Sequence, residues 1–175
     1  GMVGYTEALT DPSYRGQILC FTYPLIGNYG VPSYTLKDQF GFPIHFESER
    51  IQVSGVVAHE ICFKPSHSAS SMTIHEWLYS NGIPGVYGID TRRLTAMLRV
   101  RGVMMGALEV SEEPRLQRVK EMLDASKSYG EIDFVEQVSV DRLVQYGDGK
   151  RRIALIDCGT KLNIIRELLK RGFTV

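Results

Sequence analysis

The stretch RRIALIDCGTKLNIIRELLKRGFTV, residues 151–175, is the one that decides the fold class. An apolar run at residues 153–156 predicts a fully buried strand, because it lacks the alternation of a half-exposed strand. The turn DCGT follows, in which Thr160 is a suitable N-cap. Apolar residues then recur with helical spacing up to Gly172, which suits the position that ends a helix. Residues 173–175 predict a second strand, so the stretch is a βαβ unit with parallel strands.

This unit does not make a covered sheet by itself, because two parallel strands and one helix leave much of the sheet open. We therefore expect a further α/β domain to follow the second strand. The segment GDGK, residues 147–150, is polar and rich in glycine, which indicates a boundary just before the unit. The sequence thus predicts one domain over residues 1–148 and the beginning of another over residues 149–175.

The first 148 residues combine strand patterns with helix patterns. Apolar stretches at residues 18–23, 51–63 and 104–110 predict strands, and residues 33–50 predict a loop with little regular structure. Three helices are predicted: one from Thr73 with Glu76 in a capping box, one after Asp90 with Leu94, Met97 and Leu98 pointing inward, and one over residues 113–126. The fold class that follows is α/β, with strands and helices mixed along the chain.

Composition and charge exclude several classes of function. Twenty basic residues balance twenty acidic ones, so the chain lacks the basic excess that is typical of nucleic-acid-binding proteins. No apolar run approaches the roughly 20 residues of a membrane span, and no basic-then-apolar leader opens the chain. We therefore expect a cytoplasmic protein that binds neither nucleic acid nor a membrane.

A search for catalytic or metal-binding residues finds none. Cys20, Cys62 and Cys158 are odd in number and form no CxxC pair, which indicates reduced, structural thiols in apolar surroundings. Cys158 stands at a strand-to-helix turn, but Ile156 and Thr160 occupy positions where a nucleophile elbow needs small residues. The four histidines show no ligand spacing, so no metal site is predicted.

For two polar features, the sequence leaves the role open. Residues 92–101 contain four arginines and no acidic residue, which is either a solvated face or a contact for an acidic partner surface. The segment DPS, residues 11–13, is a strong turn signal, and by composition Ser13 is only a turn hydroxyl. The residues alone therefore give a mixed α/β domain and the beginning of another, but no reaction.

Several motifs taken together resemble one family. They are GMVGY at residues 1–5, LTDPSY at residues 9–14, TYPLIGNYG at residues 22–30, GIDTRRLT at residues 88–95 and IDCGTKLNI at residues 156–164. With these motifs the whole chain resembles the small subunit, or glutaminase part, of glutamine-dependent carbamoyl phosphate synthetase. The segments PSHS, residues 65–68, and HEWL, residues 75–78, resemble most closely the multidomain form of the eukaryotic pyrimidine pathway.

The resemblance implies a fold and a reaction. The family's small subunit begins with a mixed β/β/α "swivelling" domain that packs against the synthetase, and a class I glutamine amidotransferase domain follows. That domain hydrolyses glutamine with a Cys-His-Glu triad, and the ammonia travels through a tunnel to the synthetase. There, bicarbonate and two ATP yield carbamoyl phosphate for the biosynthesis of arginine or pyrimidines.

Few of the family's functional residues fall within this chain. The nucleophile lies in a G-x-C-x-G-x-Q elbow beyond Val175 and its His and Glu lie later, so no catalytic residue is expected here. Only Ser13 matches a glutamine-contacting position. The resemblance implies no cofactor or metal in this part, since ATP and Mg²⁺ are used by the synthetase. The expected partners are that synthetase subunit or domain, the glutaminase domain that follows, and glutamine. The family has earlier strands before the position of Gly1, so the first sheet is expected to be incomplete.

A second hypothesis is a stand-alone α/β interaction module with no catalytic role, in which the arginine-rich helix docks on an acidic partner. The coding sequence beyond Val175 distinguishes the two: an elbow motif and a late H-x-E favour the synthetase, and a stop codon favours the module. A third hypothesis is an independent enzyme that uses Cys158, which would show fast, pH-dependent alkylation of that thiol. The bulky residues in the turn around Cys158 disfavour this hypothesis.

Overall fold

The structure, a computed structural model, describes residues 3–175. The helices are α1 (Tyr5–Leu9), α2 (Ile74–Ser80), α3 (Thr91–Arg101), α4 (Leu116–Asp124), α5 (Phe134–Val138) and α6 (Leu162–Lys170), with 3₁₀ turns at Pro12–Tyr14 and Tyr129–Glu131. The strands are β1 (Ile18–Cys20), β2 (Leu25–Ile26), β3 (Gly55–Val57), β4 (Glu60–Ile61), β5 (Gly85–Val86), β6 (Arg151–Arg152) and β7 (Phe173–Thr174). None of these helices is long and apolar enough to cross a membrane.

Three small sheets organise the strands, and the paired strands run parallel, which confirms the predicted α/β class. The largest sheet has the order β1-β3-β5, with Ile18 opposite Gly55 and Val56 opposite Gly85. β2 pairs with β4, and β6 pairs with β7. The stretch 51–63, predicted as one interrupted strand, therefore supplies β3 and β4 to two different sheets.

The main core is formed by apolar side chains of α1, α2, β2, β3 and the loops between them. Its buried members are Tyr5, Leu9, Phe21, Ile26, Val31, Phe46, Ile51, Val53, Val56, Ala58, Ile74, Trp77 and Leu78. Trp77 is 2% exposed, and its ring lies edge-on to Phe46 with the ring centroids 5.8 Å apart. Burial of large aromatic side chains of this kind supplies much of the stability of a small domain.

Helix α2 begins with the predicted capping box. Thr73 Oγ1 accepts a hydrogen bond of 3.1 Å from the N–H of Glu76. Glu76 Oε2 in turn accepts one of 2.7 Å from the N–H of Thr73. Two of the backbone donors at the helix start are thus satisfied locally, which confirms the sequence-based interpretation.

The loop over residues 33–50 has little regular structure, as predicted, but it contributes to the core. Tyr34 stacks on Phe46 with ring centroids 3.8 Å apart, and Phe46 is 1% exposed. Phe42 from the same loop packs with Ile165 and Leu169 of α6 in a second, smaller apolar cluster. This loop therefore lies between the two predicted parts of the chain.

Two predicted elements in the middle of the chain differ from the structure. Residues 104–110 form no strand; instead Leu108 lies over Gly55, where a methyl group would be 3.3 Å from its Cδ2. Helix α3 follows Asp90 as predicted, but Met97 is exposed rather than inward. The reason is that Thr91 is the only buried residue of α3, so the helix contacts the core mainly through its first turn.

The βαβ unit is present, but its first strand lies just before the predicted residues 153–156 and not on them. Only Arg151 and Arg152 pair with β7, and α6 lies between the two strands and ends before Gly172. Ile153 still donates its N–H to the backbone oxygen of Thr174 at 2.8 Å, but residues 154–156 make no such bond to β7, and Ile156 is 86% exposed. The prediction of a fully buried strand at these residues is therefore wrong, because no element within residues 3–175 covers them.

Candidate functional site

Ser13, which the resemblance assigns to glutamine, lies in the 3₁₀ turn Pro12–Tyr14. Asp11 caps this turn, since its Oδ1 accepts a hydrogen bond of 2.9 Å from the N–H of Ser13. The Ser13 side chain is exposed, and its Oγ has no hydrogen-bond partner within residues 3–175. The hydroxyl can therefore donate a hydrogen bond to a ligand or accept one from it.

An ion pair joins this turn to the start of the C-terminal unit. Lys161 Nζ lies 2.7 Å from Asp11 Oδ2, and the Asp11 side chain is 9% exposed. The hydrogen bond to Asp11 raises the pKa of Lys161 above its ordinary value, so the ammonium stays charged. Because Lys161 is the N-cap residue of α6, the Ser13 turn lies beside the N-terminus of that helix.

The turn between β6 and α6 is organised around the carboxylate of Asp157. Its Oδ1 accepts hydrogen bonds from the N–H of Gly159 at 3.0 Å and of Thr160 at 2.7 Å. Its Oδ2 accepts one of 2.8 Å from the N–H of Val140. Burial alone would raise the pKa of Asp157, but these donors outweigh it and hold that pKa below its usual value. Thr160 is therefore part of an Asp157-centred turn, and the prediction that it caps α6 is wrong.

The close approach of the two turns depends on Gly159. Its φ of +95° lies in a region that other residues rarely adopt. A methyl group at this position would come within 2.8 Å of Val138 Cγ2 and 3.2 Å of Pro12 Cβ. Any side chain here would push the Ser13 turn and the Asp157 turn apart.

Helix α6 has no cap from Lys161, and Glu47 supplies one from the loop. The backbone oxygen of Glu47 accepts a hydrogen bond of 2.9 Å from the N–H of Leu162. Its Oε2 accepts another of 2.9 Å from the N–H of Asn163. Its own N–H donates to Thr10 Oγ1, also at 2.9 Å. A carboxylate at the positive end of a helix is favourable, and this one connects α6 to the residue just before Asp11.

A buried ion pair also holds α6. Arg166 Nε donates to Asp38 Oδ2 at 2.5 Å, and Arg166 Nη2 donates to the backbone oxygen of Pro43 at 3.1 Å. The two charged side chains are 11% and 16% exposed. Burial raises the pKa of Asp38, but the Arg166 guanidinium and the N–H groups of Phe40 and Phe42 outweigh it and leave that pKa below its usual value.

An open cleft of about 1060 Å³ lies next to these contacts. It is bordered by residues 47–52, residues 137–146 and the β6–α6 unit. Pro12 lines the cleft and Ser13 does not, so the serine hydroxyl is at its margin. The wall combines apolar, polar and charged residues, and nothing in it by itself specifies a ligand.

The three cysteines differ in solvent exposure. Cys20 and Cys62 are half-buried, and burial raises the pKa of the Cys20 thiol, as expected of structural thiols. Cys158 is exposed, so the prediction of apolar surroundings is wrong for it. None of the three forms a disulfide. The described residues also include no cluster of three or more His, Cys, Asp or Glu side chains placed to hold a metal ion.

The arginines of α3 are all exposed. Arg92, Arg93, Arg99 and Arg101 take part in none of the ion pairs found within residues 3–175. Val100, which lies between two of them, is 85% exposed. Both interpretations of this helix, a solvated face and a partner contact, are compatible with its surface.

Sequence reasoning did not assign three of the residues that surround Ser13. Asp11 gave a signal, since it precedes Pro12 in a turn, but its ion pair could not be foreseen. Lys161 lies in a motif of the resembled family, and its partner is 150 positions away. Nothing in the sequence around Glu47 indicated that it caps a helix, because the N–H group that its carboxylate accepts from lies more than 100 positions later.

Comparison with known proteins gives a consistent result. A family model described as the carbamoyl-phosphate synthase small chain, CPSase domain, matches residues 1–108. The carbamoyl phosphate synthase small chain of Pyrobaculum aerophilum is 48% identical over 174 residues, which cover 99% of this chain and 46% of that protein. The corresponding protein of Pyrococcus furiosus is 47% identical over 176 residues, which cover 99% of this chain and 46% of that protein.

A relative from a further organism has a pathway in its own name. The carbamoyl phosphate synthase arginine-specific small chain of Neurospora crassa is 42% identical over 176 residues, which cover 99% of this chain and 38% of that protein. The chain thus spans less than half the length of the relatives that it matches. None of these names refers to the pyrimidine pathway, so the closer resemblance to its multidomain form stays a prediction. Nothing in the comparisons favours a stand-alone interaction module.

Proposed function

The chain belongs to the carbamoyl-phosphate synthase small-chain family, and we propose that it forms the N-terminal part of the glutamine-hydrolysing half of that synthase. In this role it is a scaffold that carries the beginning of the glutaminase domain, contacts the synthetase partner, and supplies one hydroxyl to bound glutamine. The division into a first domain over residues 1–148 and a glutaminase beginning at residue 149 is part of the proposal.

The reaction proposed for the whole synthase begins at the glutamine amide. A cysteine thiolate attacks the amide carbon, the C–N bond breaks, and a histidine gives the departing ammonia its proton. Water then hydrolyses the thioester and releases glutamate. The ammonia moves to the synthetase, where bicarbonate and two ATP convert it into carbamoyl phosphate. The attacking cysteine is expected in a G-x-C-x-G-x-Q elbow, a motif that none of this chain's three cysteines occupies.

The observation that carries the proposal is the position of Ser13. Its turn is held against the first βαβ unit by the Asp11–Lys161 ion pair and by the contact of Pro12 with the Gly159 turn. Its hydroxyl is exposed and has no partner among residues 3–175. A hydroxyl presented at this junction suits a hydrogen bond to one of the polar ends of glutamine.

The proposal also covers partners and surroundings. The synthetase subunit or domain is the expected macromolecular partner, and the exposed arginines of α3 offer one surface for an acidic contact. ATP and Mg²⁺ are expected to act in the synthetase, and no cofactor is assigned to this part. Three cysteines without a disulfide suit a reducing compartment such as the cytoplasm.

Substitution of Ser13 in the assembled synthase tests the proposal. Ser13→Ala should raise the KM for glutamine about fivefold to tenfold, the effect of losing one hydrogen bond to a polar ligand. The KM for ammonia should stay unchanged, because free ammonia bypasses the glutamine site. Ser68→Ala, which removes a hydroxyl from an exposed loop, is the matched control and should change neither constant.

Two results would contradict the proposal. Equal changes in the two KM values would remove Ser13 from the glutamine site. Release of glutamate from glutamine by residues 1–175 alone would show that the catalytic groups lie within this chain.

A further inference from the structure

A short segment after α4 packs on the residues that directly follow the Ser13 turn. The aromatic ring of Phe134, at the start of α5, covers Gly16, where a methyl group would lie 2.1 Å from its Cε1. Gly16 has a φ of +76°, so both its conformation and its contact exclude a larger residue. Tyr129 packs on Phe134, with the two ring centroids 4.9 Å apart.

Gln137 in the same helix holds two arginines. Its Oε1 accepts a hydrogen bond of 3.0 Å from Arg15 Nε, and its backbone oxygen accepts one of 2.8 Å from Arg50 Nη2. Burial lowers the pKa of Arg15, and the neighbouring charge of Arg50 lowers it further. Neither arginine forms an ion pair with a carboxylate within residues 3–175, so Gln137 is the group that fixes Arg15 there.

The end of the segment packs on the opposite turn. Val138 contacts Gly159 so closely that a methyl group added to this glycine would lie 2.8 Å from Val138 Cγ2. Val140 donates its N–H to the carboxylate of Asp157. Residues 134–140, called the brace from here on, thus contact the residues just after the Ser13 turn at one end and the Asp157 turn at the other.

The brace holds the backbone where it leaves the Ser13 turn. That turn is a single 3₁₀ turn, in which Asp11 caps the beginning and the N–H of Arg15 donates to the backbone oxygen of Pro12 at the end. Arg15 and Gly16 follow it directly, and these are the residues that the brace holds. A rotation of the backbone at this point would redirect the Ser13 hydroxyl, and hydrogen bonds weaken steeply as their angle is lost.

We propose that the brace is a positioning element and that Gln137 is a positioning residue, which fixes the direction of the Ser13 hydroxyl through Arg15. The proposal rests on the function proposed above, in which Ser13 contacts glutamine. Gln137 does not touch the substrate and acts only through the turn. The brace contacts both Arg15 and Gly16 and the Asp157 turn, so it also keeps Ser13 at a constant distance from the βαβ unit.

The test uses the assembled synthase and three single variants. Gln137→Ala should raise the KM for glutamine about threefold to fivefold and leave the KM for ammonia unchanged. Gln137→Glu keeps an oxygen acceptor for Arg15 and should retain the original KM. Gln117→Ala, which removes an exposed amide from α4, is the matched control and should also have no effect.

A double variant separates positioning from a general effect on structure. If Gln137 acts only through Ser13, then Gln137→Ala should add nothing to the KM for glutamine in the Ser13→Ala background. Multiplicative effects of the two changes would overturn the inference, as would a rise in the KM for ammonia in Gln137→Ala.

The outcomes for the two proposals are distinguishable. If Ser13→Ala leaves the KM for glutamine unchanged, the proposed function of Ser13 fails, and the inference fails with it. If Ser13→Ala raises that KM while Gln137→Ala does not, only the positioning role of the brace is overturned.

Discussion

The core around Trp77 and the junction around Ser13 are held together by different interactions. In the core, 13 buried apolar residues from α1, α2, β2, β3 and the loops pack on one another. At the junction, the connecting groups are carboxylates: Asp11, Asp38, Glu47 and Asp157 each accept hydrogen bonds or an ion pair from another part of the chain. The apolar cluster there has only three buried members.

This difference determines how each region responds to change. An apolar core loses stability with the apolar surface removed and with the volume of the cavity that remains. A junction of hydrogen-bonded carboxylates depends on geometry and on charge, and it responds to pH. The junction depends on the core, because the junction carboxylates are held by loops that pack on the core.

The largest effect is expected from the centre of the core. Trp77→Ala should lower the free energy of unfolding by about 4 kcal/mol, because a buried indole is replaced by a cavity. Amide hydrogen exchange should become faster in α2 and β3 and also in α6, since α6 is attached through loops that the core supports. Tyr79→Ala, on the same helix but 82% exposed, is the control and should change exchange very little. Unchanged protection of α6 in Trp77→Ala would show that the two regions are independent.

A smaller effect, limited to the junction, is expected from the buried ion pair. Asp38→Asn should destabilise the attachment of α6 by about 2 kcal/mol, since hydrogen bonds to a charged group are replaced by neutral ones. Amide exchange should become faster in α6 and in residues 40–43 but not in β3. Glu167→Gln removes an exposed charge from the same helix and should have little effect. Faster exchange throughout the core in Asp38→Asn would contradict the separation of the two regions.

The local features of the fold could be predicted from the sequence. The capping box of Thr73 and Glu76, the start of α3 after Asp90, and the β6-α6-β7 order all depend on residues within one element or its ends. Signals of this kind depend on spacing and on side-chain chemistry over a few positions, which one sequence shows directly.

The features that depend on distant residues could not be predicted. Residues 104–110 have an apolar strand pattern, but in the structure they pass over Gly55 instead of pairing. Residues 153–156 have the pattern of a buried strand, and their burial requires a neighbour that residues 3–175 do not provide.

The candidate site shows the same division. The turn of Ser13 follows from the segment DPS, and the resemblance to a family assigned its hydroxyl to glutamine. The surroundings of Ser13 come from three remote places: Glu47 in a loop, Gln137 in α5 and Lys161 before α6. No periodicity or motif brings such residues together, because their contacts depend on the tertiary structure.

The smallest expected effect comes from the pH response of the junction. The pKa of Asp157 is held below its usual value of about 4, so its carboxylate stabilises the folded state fully at higher pH. This contribution should be lost as the pH falls through the folded-state pKa, because the protonated acid is a poorer acceptor for the N–H groups of Val140 and Thr160. We expect a loss of about 1 kcal/mol, measured as decreasing protection of the Thr160 amide while the Val56 amide in β3 stays protected. Asp157→Asn should remove this pH dependence, since the amide oxygen still accepts one hydrogen bond but does not titrate. The same acid-induced loss in Asp157→Asn would assign the response to another group, of which Asp38 is the first candidate because its pKa is lowered as well.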